Sequence, residues 1–165
     1  MALYEGFDRL VKDEVETAAS LLQGIHDSYT KGEITLGQAK EIGADLLRNL
    51  KYGEDGYFWT DTVEGVNVVL LGKKDVEGTN RFNAQDKKGK YFVKEFIEKG
   101  TIDGGYIDYY FPKKGSDAPL PKRARTLEFK PFHWVIGTGN YVDDMEALVQ
   151  KEEDTFKIRI IKRAS

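Results

Sequence analysis

Lys122, Arg123 and Arg125 crowd into one short stretch that reads as a β-strand. Strand alternation puts Arg123 and Arg125 on one side and Lys122 on the other. A cation turned inward needs an anionic partner or an anionic ligand. A cation turned outward is a solvated side chain, and both readings stay open for each of the three. On an earlier strand Tyr57, Trp59 and Asp61 share one side while Phe58 and Thr60 share the other. Asn67 follows near the same hairpin, and Tyr109 and Phe111 lie on a later aromatic strand. An aromatic-walled pocket with a carboxylate and a cation at its mouth suits a small molecule. Packing against helices explains the aromatics nearly as well.

Other chemistry is poorly provided for. The two histidines, His26 and His133, form no metal-binding spacing and read as structural or surface residues. Ser20, Ser28, Ser116 and Ser165 lack a nucleophile elbow. Cysteine is absent, which removes disulfides, thiol catalysis and cysteine-ligated metals. Gly137-Thr-Gly139 lacks the third glycine and the βαβ context of a dinucleotide loop, so its glycines read as points of close backbone approach. Asp143 and Asp144 are adjacent at a helix start and point apart, with Asp143 and Glu146 at capping-box spacing. No nucleophile–base pair, metal site or cofactor motif emerges, and an enzyme is not expected.

These residues sit in a chain of 165 residues, enough for one domain with a real core. It is 40% apolar and 32% charged, with a net charge of −3 that disfavours a nucleic-acid partner. No apolar run reaches the ~18 residues of a membrane helix, and no signal peptide is visible. From Phe7 to Tyr29 apolar residues recur with helical period over an arc of roughly 140°, predicting a helix over 3–30 about 40 Å long. Thr35 and Gln38 mark the capping box of a second helix, with Ala39, Ile42, Leu46, Leu47 and Leu50 as its apolar stripe. Glu54-Asp55-Gly56 is a turn signal leading into a strand over 57–60, and a hairpin loop joins that strand to another over 66–71. Residues 72–90 read as a long loop, 91–98 as a short helix, and 105–111, 123–129 and 134–141 as three more strands. A last helix follows. This order predicts an α+β fold, one antiparallel sheet with its helices segregated to one face.

The ordered motifs resemble the single Cache sensor domains of bacterial chemoreceptors and sensor kinases, specifically the type 2 subgroup. The matching elements are Tyr52-Gly-Glu-Asp-Gly-Tyr-Phe-Trp59, Glu77-Gly78, Asp86 to Lys90, the aromatic strand with Tyr109, Phe111, Pro112 and Gly115, and Phe129-Lys-Pro-Phe-His-Trp-Val-Ile-Gly-Thr-Gly-Asn-Tyr-Val-Asp-Asp144. The match runs through nearly the whole chain. It implies a PAS-like sheet of five or six strands with the long N-terminal helix packed on it. Residues 1–165 then form one sensor domain, with a helical N-terminal part (1–51), a sheet carrying an inserted loop and helix (52–142), and a C-terminal helix directed toward the membrane (143–165). The resemblance also implies an extracytoplasmic position between two membrane spans that this chain lacks, with Met1 as an added start, and a homodimer in the full-length receptor.

Relatives with known ligands mostly bind short carboxylates. Their pocket uses first-strand aromatics, a second-strand His, a third-strand Tyr and a Lys-x-Ser-Tyr segment. Tyr109 and Lys122 match. Leu70-Leu71 stands where the family has His-Pro, and Ala124-Arg125 where it has Ser-Tyr. Arg125 could restore anion contact through a bidentate fork, while Asp61 and Asn67 could add polar specificity or recognise an amino group. The expected binding set is therefore Tyr57, Trp59, Asp61, Asn67, Tyr109, Phe111, Lys122 and Arg125, for a small organic anion, with no cofactor. The alternatives are an amino acid or other small polar metabolite as ligand, or a dimerisation ectodomain with none.

Overall fold

The computed structural model describes residues 2–164; Met1 and Ser165 lie outside the description. Five antiparallel strands form the sheet: β1 (Trp59–Thr62), β2 (Asn67–Val69), β3 (Gly105–Pro112), β4 (Pro119–Phe129) and β5 (Trp134–Tyr141). Their order is β2-β1-β5-β4-β3, so the last strand in sequence sits at the centre. β4 begins at Pro119, ahead of the expected start at 123, because Pro119 to Lys122 continue the ladder opposite β3.

Helix α1 (Ala2–Thr30) lies along one face of this sheet. Val11, Val15, Ala18 and Leu22 are fully buried along it, the spacing of one helical stripe. Helix α2 (Leu36–Asn49) starts at the predicted capping box, in which the Gln38 N–H donates to Thr35 Oγ1 at 3.1 Å and the Thr35 N–H to Gln38 Oε1 at 2.9 Å. Its inward face is Ala39, Gly43 and Leu47, whereas Ile42 turns to solvent. These helices pack on Phe58, Val69, Phe129, Phe132, Trp134 and Ile136.

The expectation that all helices share one face is corrected. Helix α3 (Phe92–Thr101) covers the opposite face, where Phe92, Val93, Phe96 and Ile97 pack with Trp59, Leu70, Ile107, Tyr109, Ala124 and Val135. The sheet is therefore buried on both sides, and strand alternation sends each side chain into one of two distinct cores. Helix α4 (Val142–Ala164) begins directly after β5. Its first turn does not use the predicted capping box. The Asp143 carboxylate accepts from the Asp144 N–H at 2.9 Å, and Asp143 and Asp144 both accept from Lys113 Nζ, at 3.0 and 2.9 Å.

Candidate ligand-binding site

The α3 face of the sheet holds a cleft lined by Tyr57, Trp59, Leu70, Arg81, Phe92, Phe96, Tyr109, Phe111 and Lys122. Its first wall comes from the Tyr52–Gly56 turn. Tyr52 and Gly56 exchange backbone hydrogen bonds of 3.3 and 2.9 Å, and a Cβ on Gly56 would lie 2.4 Å from the Tyr52 carbonyl oxygen. Thr138 Oγ1 donates to the Tyr57 carbonyl at 2.6 Å, tying that wall to β5. Trp59 then pairs with Gly137. A Cβ there would stand 2.4 Å from the indole, so glycine is what lets the ring lie against the strand. The Trp59 Nε1–H is buried and has no hydrogen-bond partner among the described residues.

β4 brings Lys122 between Tyr109 of β3 and Tyr141 of β5. Lys122 is only 1% exposed. Its Nζ donates to the Tyr57 hydroxyl at 2.7 Å and lies 4.5 Å from the ring centres of Tyr57 and Trp59, 4.8 Å from Tyr141 and 5.6 Å from Phe111. This is an aromatic cage of the kind that stabilises a cation through ring quadrupoles. Among the described residues no carboxylate forms an ion pair with Lys122.

The outer wall comes from α3 and the 72–90 segment. Phe92 stacks on Tyr109 with centroids 5.3 Å apart and planes 9° from parallel. Arg81 reaches in from the 72–90 segment and is held by Asp61 of β1, Nε to Oδ1 at 2.6 Å and a terminal guanidinium nitrogen to Oδ2 at 2.7 Å. Asn67 of β2 donates to the same Asp61 Oδ1 at 3.1 Å. Two further anchors hold the segment. Glu77 accepts two hydrogen bonds from Arg48 of α2, at 3.2 and 2.8 Å, and Asp86 accepts from the Tyr110 N–H at 3.1 Å. The cleft amounts to about 170 Å³ including its mouth, and nowhere is it wide enough for a water molecule. Guest entry therefore requires movement of these walls.

Electrostatics follow from burial. Desolvation lowers the Lys122 pKa below 10.5; the contact with Tyr57 opposes this, and the charge of Arg81 adds to it. Burial pushes the Tyr57 hydroxyl up, but the charge and hydrogen bond of Lys122, with help from Tyr141 and Arg81, bring it net below 10.0. Both shifts have the same consequence. Between the depressed folded values and the ordinary ones the unfolded chain binds more protons, so stability rises with pH across that alkaline window. Urea unfolding of the ligand-free protein at stepped pH values approaching 10 is expected to show this rise, and Lys122→Met to remove most of it. A flat profile in the parent would contradict the burial of an unpaired cation.

Of the residues singled out from sequence, Tyr57, Trp59, Tyr109, Phe111 and Lys122 come together in this cleft. Asp61 and Asn67 lie one layer behind it and hold Arg81. Arg125 does not join them. It lies on the α1 face, its guanidinium 4.8 Å from the Tyr106 ring, because residues an odd number apart on β4 face opposite ways. Arg123 shares that face and binds Asp8 of α1 through two contacts of 2.8 and 2.9 Å. Sequence reasoning did not single out Arg81, Phe92 or Phe96, whereas Leu70 lines the cleft at the position where the resemblance put a second-strand His. A buried strand carboxylate at Asp61 was the one signal that a cation must be near, and the 72–90 segment offers several.

An antiparallel sheet with a long N-terminal helix on one face and a donor-lined aromatic cleft on the other defines a PAS-like ligand-sensing domain. The chain belongs to the Single Cache domain 2 family, which matches residues 6–155. It is 27% identical over 146 residues to the methyl-accepting chemotaxis protein McpP of Pseudomonas putida, an alignment covering 88% of this chain and 27% of that protein. It is 31% identical over 126 residues to the sensor histidine kinase MctS of Rhizobium johnstonii, covering 76% of this chain and 27% of that one. The chain thus spans about a quarter of the length of these curated relatives. A periplasmic sensor domain of a chemotaxis protein superposes with a TM-score of 0.78 at 30% identity, over 81% of this chain and 94% of that one. A Cache chemosensory domain that recognises carboxylic acids shares the fold at a TM-score of 0.81 and 24% identity, over 86% and 97% of the two chains. Cache sensor domains of chemoreceptors and kinases bind ligands and are not catalytic. No helix among the described residues is long and apolar enough to cross a membrane.

Proposed function

We propose that this domain is the extracytoplasmic sensor module of a membrane-anchored chemoreceptor or sensor kinase, dimeric in the intact receptor, and that it binds a small organic carboxylate at Lys122. One observation carries the ligand class. Lys122 is buried in a ring cage with no carboxylate partner among the described residues. A buried cation in that condition is a high-energy group, and an incoming anion relieves it. Two neighbouring donors support the same class: the Tyr57 hydroxyl, which accepts from Lys122 and still carries its own O–H, and the unpartnered Trp59 Nε1–H can both donate to an anion. The aromatic walls then exclude water from the contact, which strengthens it.

An amino acid is disfavoured as ligand. The carboxylate expected to meet an ammonium group, Asp61, already spends both oxygens on Arg81. The test is thermal melting with propionate against propionamide, which match in shape and differ in charge. At propionate concentrations near 100 times Kd the midpoint should rise by about 5–10 °C, and propionamide should do nothing. Equal shifts would remove the role of the Lys122 charge. No shift with any short acid would favour a purely structural ectodomain.

A further inference from the structure

We propose that Thr138 is a positioning residue of this site: its one buried hydroxyl holds the Tyr57 wall against Lys122 and links that wall, through Tyr52, to the side of the sheet that carries α1. This rests on the carboxylate reading given above and adds the route by which a change in the cleft reaches the opposite core.

The Gly137-Thr-Gly139 triplet divides its work. Gly137 admits the Trp59 ring, and a Cβ on Gly139 would stand 2.5 Å from the Arg123 carbonyl oxygen of β4. Thr138 is the one side chain of the three. It shares the α1 face with Ile136 and is 0% exposed. Its hydroxyl carries a single proton and gives it to the Tyr57 carbonyl at 2.6 Å. The 2.5 Å contact with the Tyr52 hydroxyl therefore runs the other way, with Tyr52 donating. β1 joins the β5 ladder only from Trp59, so Tyr57 lies just outside it and is fixed by this side-chain bond instead. Tyr57 thus spans the sheet. Its phenol accepts from Lys122 at 2.7 Å on the cleft side, and its carbonyl is gripped from the α1 side.

Tyr52 completes the link. Its ring meets Phe58 edge-on with centroids 5.6 Å apart, and it packs on the cluster that includes Val15, Ala18 and Leu22 of α1. Burial pushes its hydroxyl up to about 12; the Thr138 hydrogen bond opposes this and the charge of Glu14 on α1 adds to it. Each step from Lys122 through Tyr57 and Thr138 to Tyr52 is a hydrogen bond of 2.7 Å or shorter. A guest that shifts Tyr57 strains the Thr138 bond, and a buried group that gives up its partner pays the full desolvation cost, so Tyr52 follows.

Tyrosine labelled with carbon-13 at Cζ reports on this link, with the Tyr52 resonance assigned by its absence in Tyr52→Phe. In the parent chain saturating propionate should move that resonance, although Tyr52 lies across the sheet from the cleft. Thr138→Val should abolish the movement and weaken propionate binding in calorimetry about fivefold, the scale of one hydrogen bond. Thr138→Ser, which keeps the hydroxyl, should restore both. A Tyr52 resonance that ignores bound propionate overturns the proposal, and this parent measurement decides it even if Thr138→Val does not fold. A folded Thr138→Val that keeps the response, or a folded Thr138→Ser that loses it, overturns it as well. Failure of the carboxylate reading looks different: calorimetry then shows no propionate binding to the parent. Lys122→Met, which removes the donor to Tyr57, takes the place of the ligand in that case, and a Tyr52 resonance unmoved by it overturns the link.

Discussion

Lys122→Met is expected to abolish carboxylate binding while leaving the domain at least as stable as the parent. The two effects separate because Lys122 has no carboxylate partner among the described residues to strand. Removing one member of a buried ion pair is destabilising because the other charge stays behind. Here the partners are the rings of Tyr57, Trp59, Tyr141 and Phe111 and the Tyr57 hydroxyl. Methionine has a comparable stem and a polarisable sulfur that packs well against aromatic rings. What is lost is the desolvation cost of the ammonium, offset by its cation–π contacts. For binding nothing offsets the loss. Truncating one side of a buried, hydrogen-bonded charge pair costs about 2–5 kcal/mol, so affinity should fall at least about 30-fold. Calorimetry with propionate and a thermal melt of the same preparation read both quantities. Undiminished affinity would place the anion elsewhere, and a collapsed melting midpoint would show that the cage depends on its cation.

Arg81→Leu should act in the reverse way, as a large loss of stability. It leaves the Asp61 carboxylate buried with only Asn67 as a side-chain partner. Breaking a buried pair from one side costs about 3–5 kcal/mol, against total stabilities of about 5–15 kcal/mol for natural domains. The variant should therefore stand close to unfolding. The same substitution also removes one side-chain tie of the 72–90 segment to the sheet, leaving the Glu77–Arg48 ion pair, the Asp86 contact with the Tyr110 N–H and the backbone hydrogen bonds of Gly78, Thr79 and Arg81 to Gly65 and Asn67. Replacing both members, with Asp61→Leu beside Arg81→Leu, should recover most of the loss, because neither charge of the pair is then left buried without the other. Urea midpoints of the single and double variants form the measurement. A single variant within about 1 kcal/mol of the parent would mean that the pair is solvated and worth little.

Much of the scaffold was readable from residue patterns. The helical stripe of α1, the capping box at Thr35 and Gln38, and all five strands arise from local rules of period and capping that tertiary contacts did not override. The site was readable only in part. Alternation along β4 already separates Lys122 from Arg125, so no single pocket could hold both. Which one faces the ligand depends on which sheet face carries the cleft. That was hidden because both faces are covered, and residue period does not reveal the side on which α3 crosses. Arg81 was hidden for a different reason. It stands in an irregular segment with no period to orient it, and its partner Asp61 lies 20 residues away. Lys87, Lys88 and Lys90 in the same segment were equal candidates on composition.

The junction between β5 and α4 carries a mechanical consequence. Tyr141 ends the strand and Val142 opens the helix, with no intervening residue to take up slack. The Tyr141 ring stands 4.8 Å from the Lys122 ammonium, and its hydroxyl donates to the Pro112 carbonyl at 2.8 Å. The helix it leads into is 23 residues long, a rigid rod of about 35 Å. With the fulcrum at Tyr141, a tilt of about 5° sweeps the distal end of that rod through about 3 Å. A sub-ångström adjustment beside the ammonium is in this way geared up by leverage alone, without any rearrangement of the sheet.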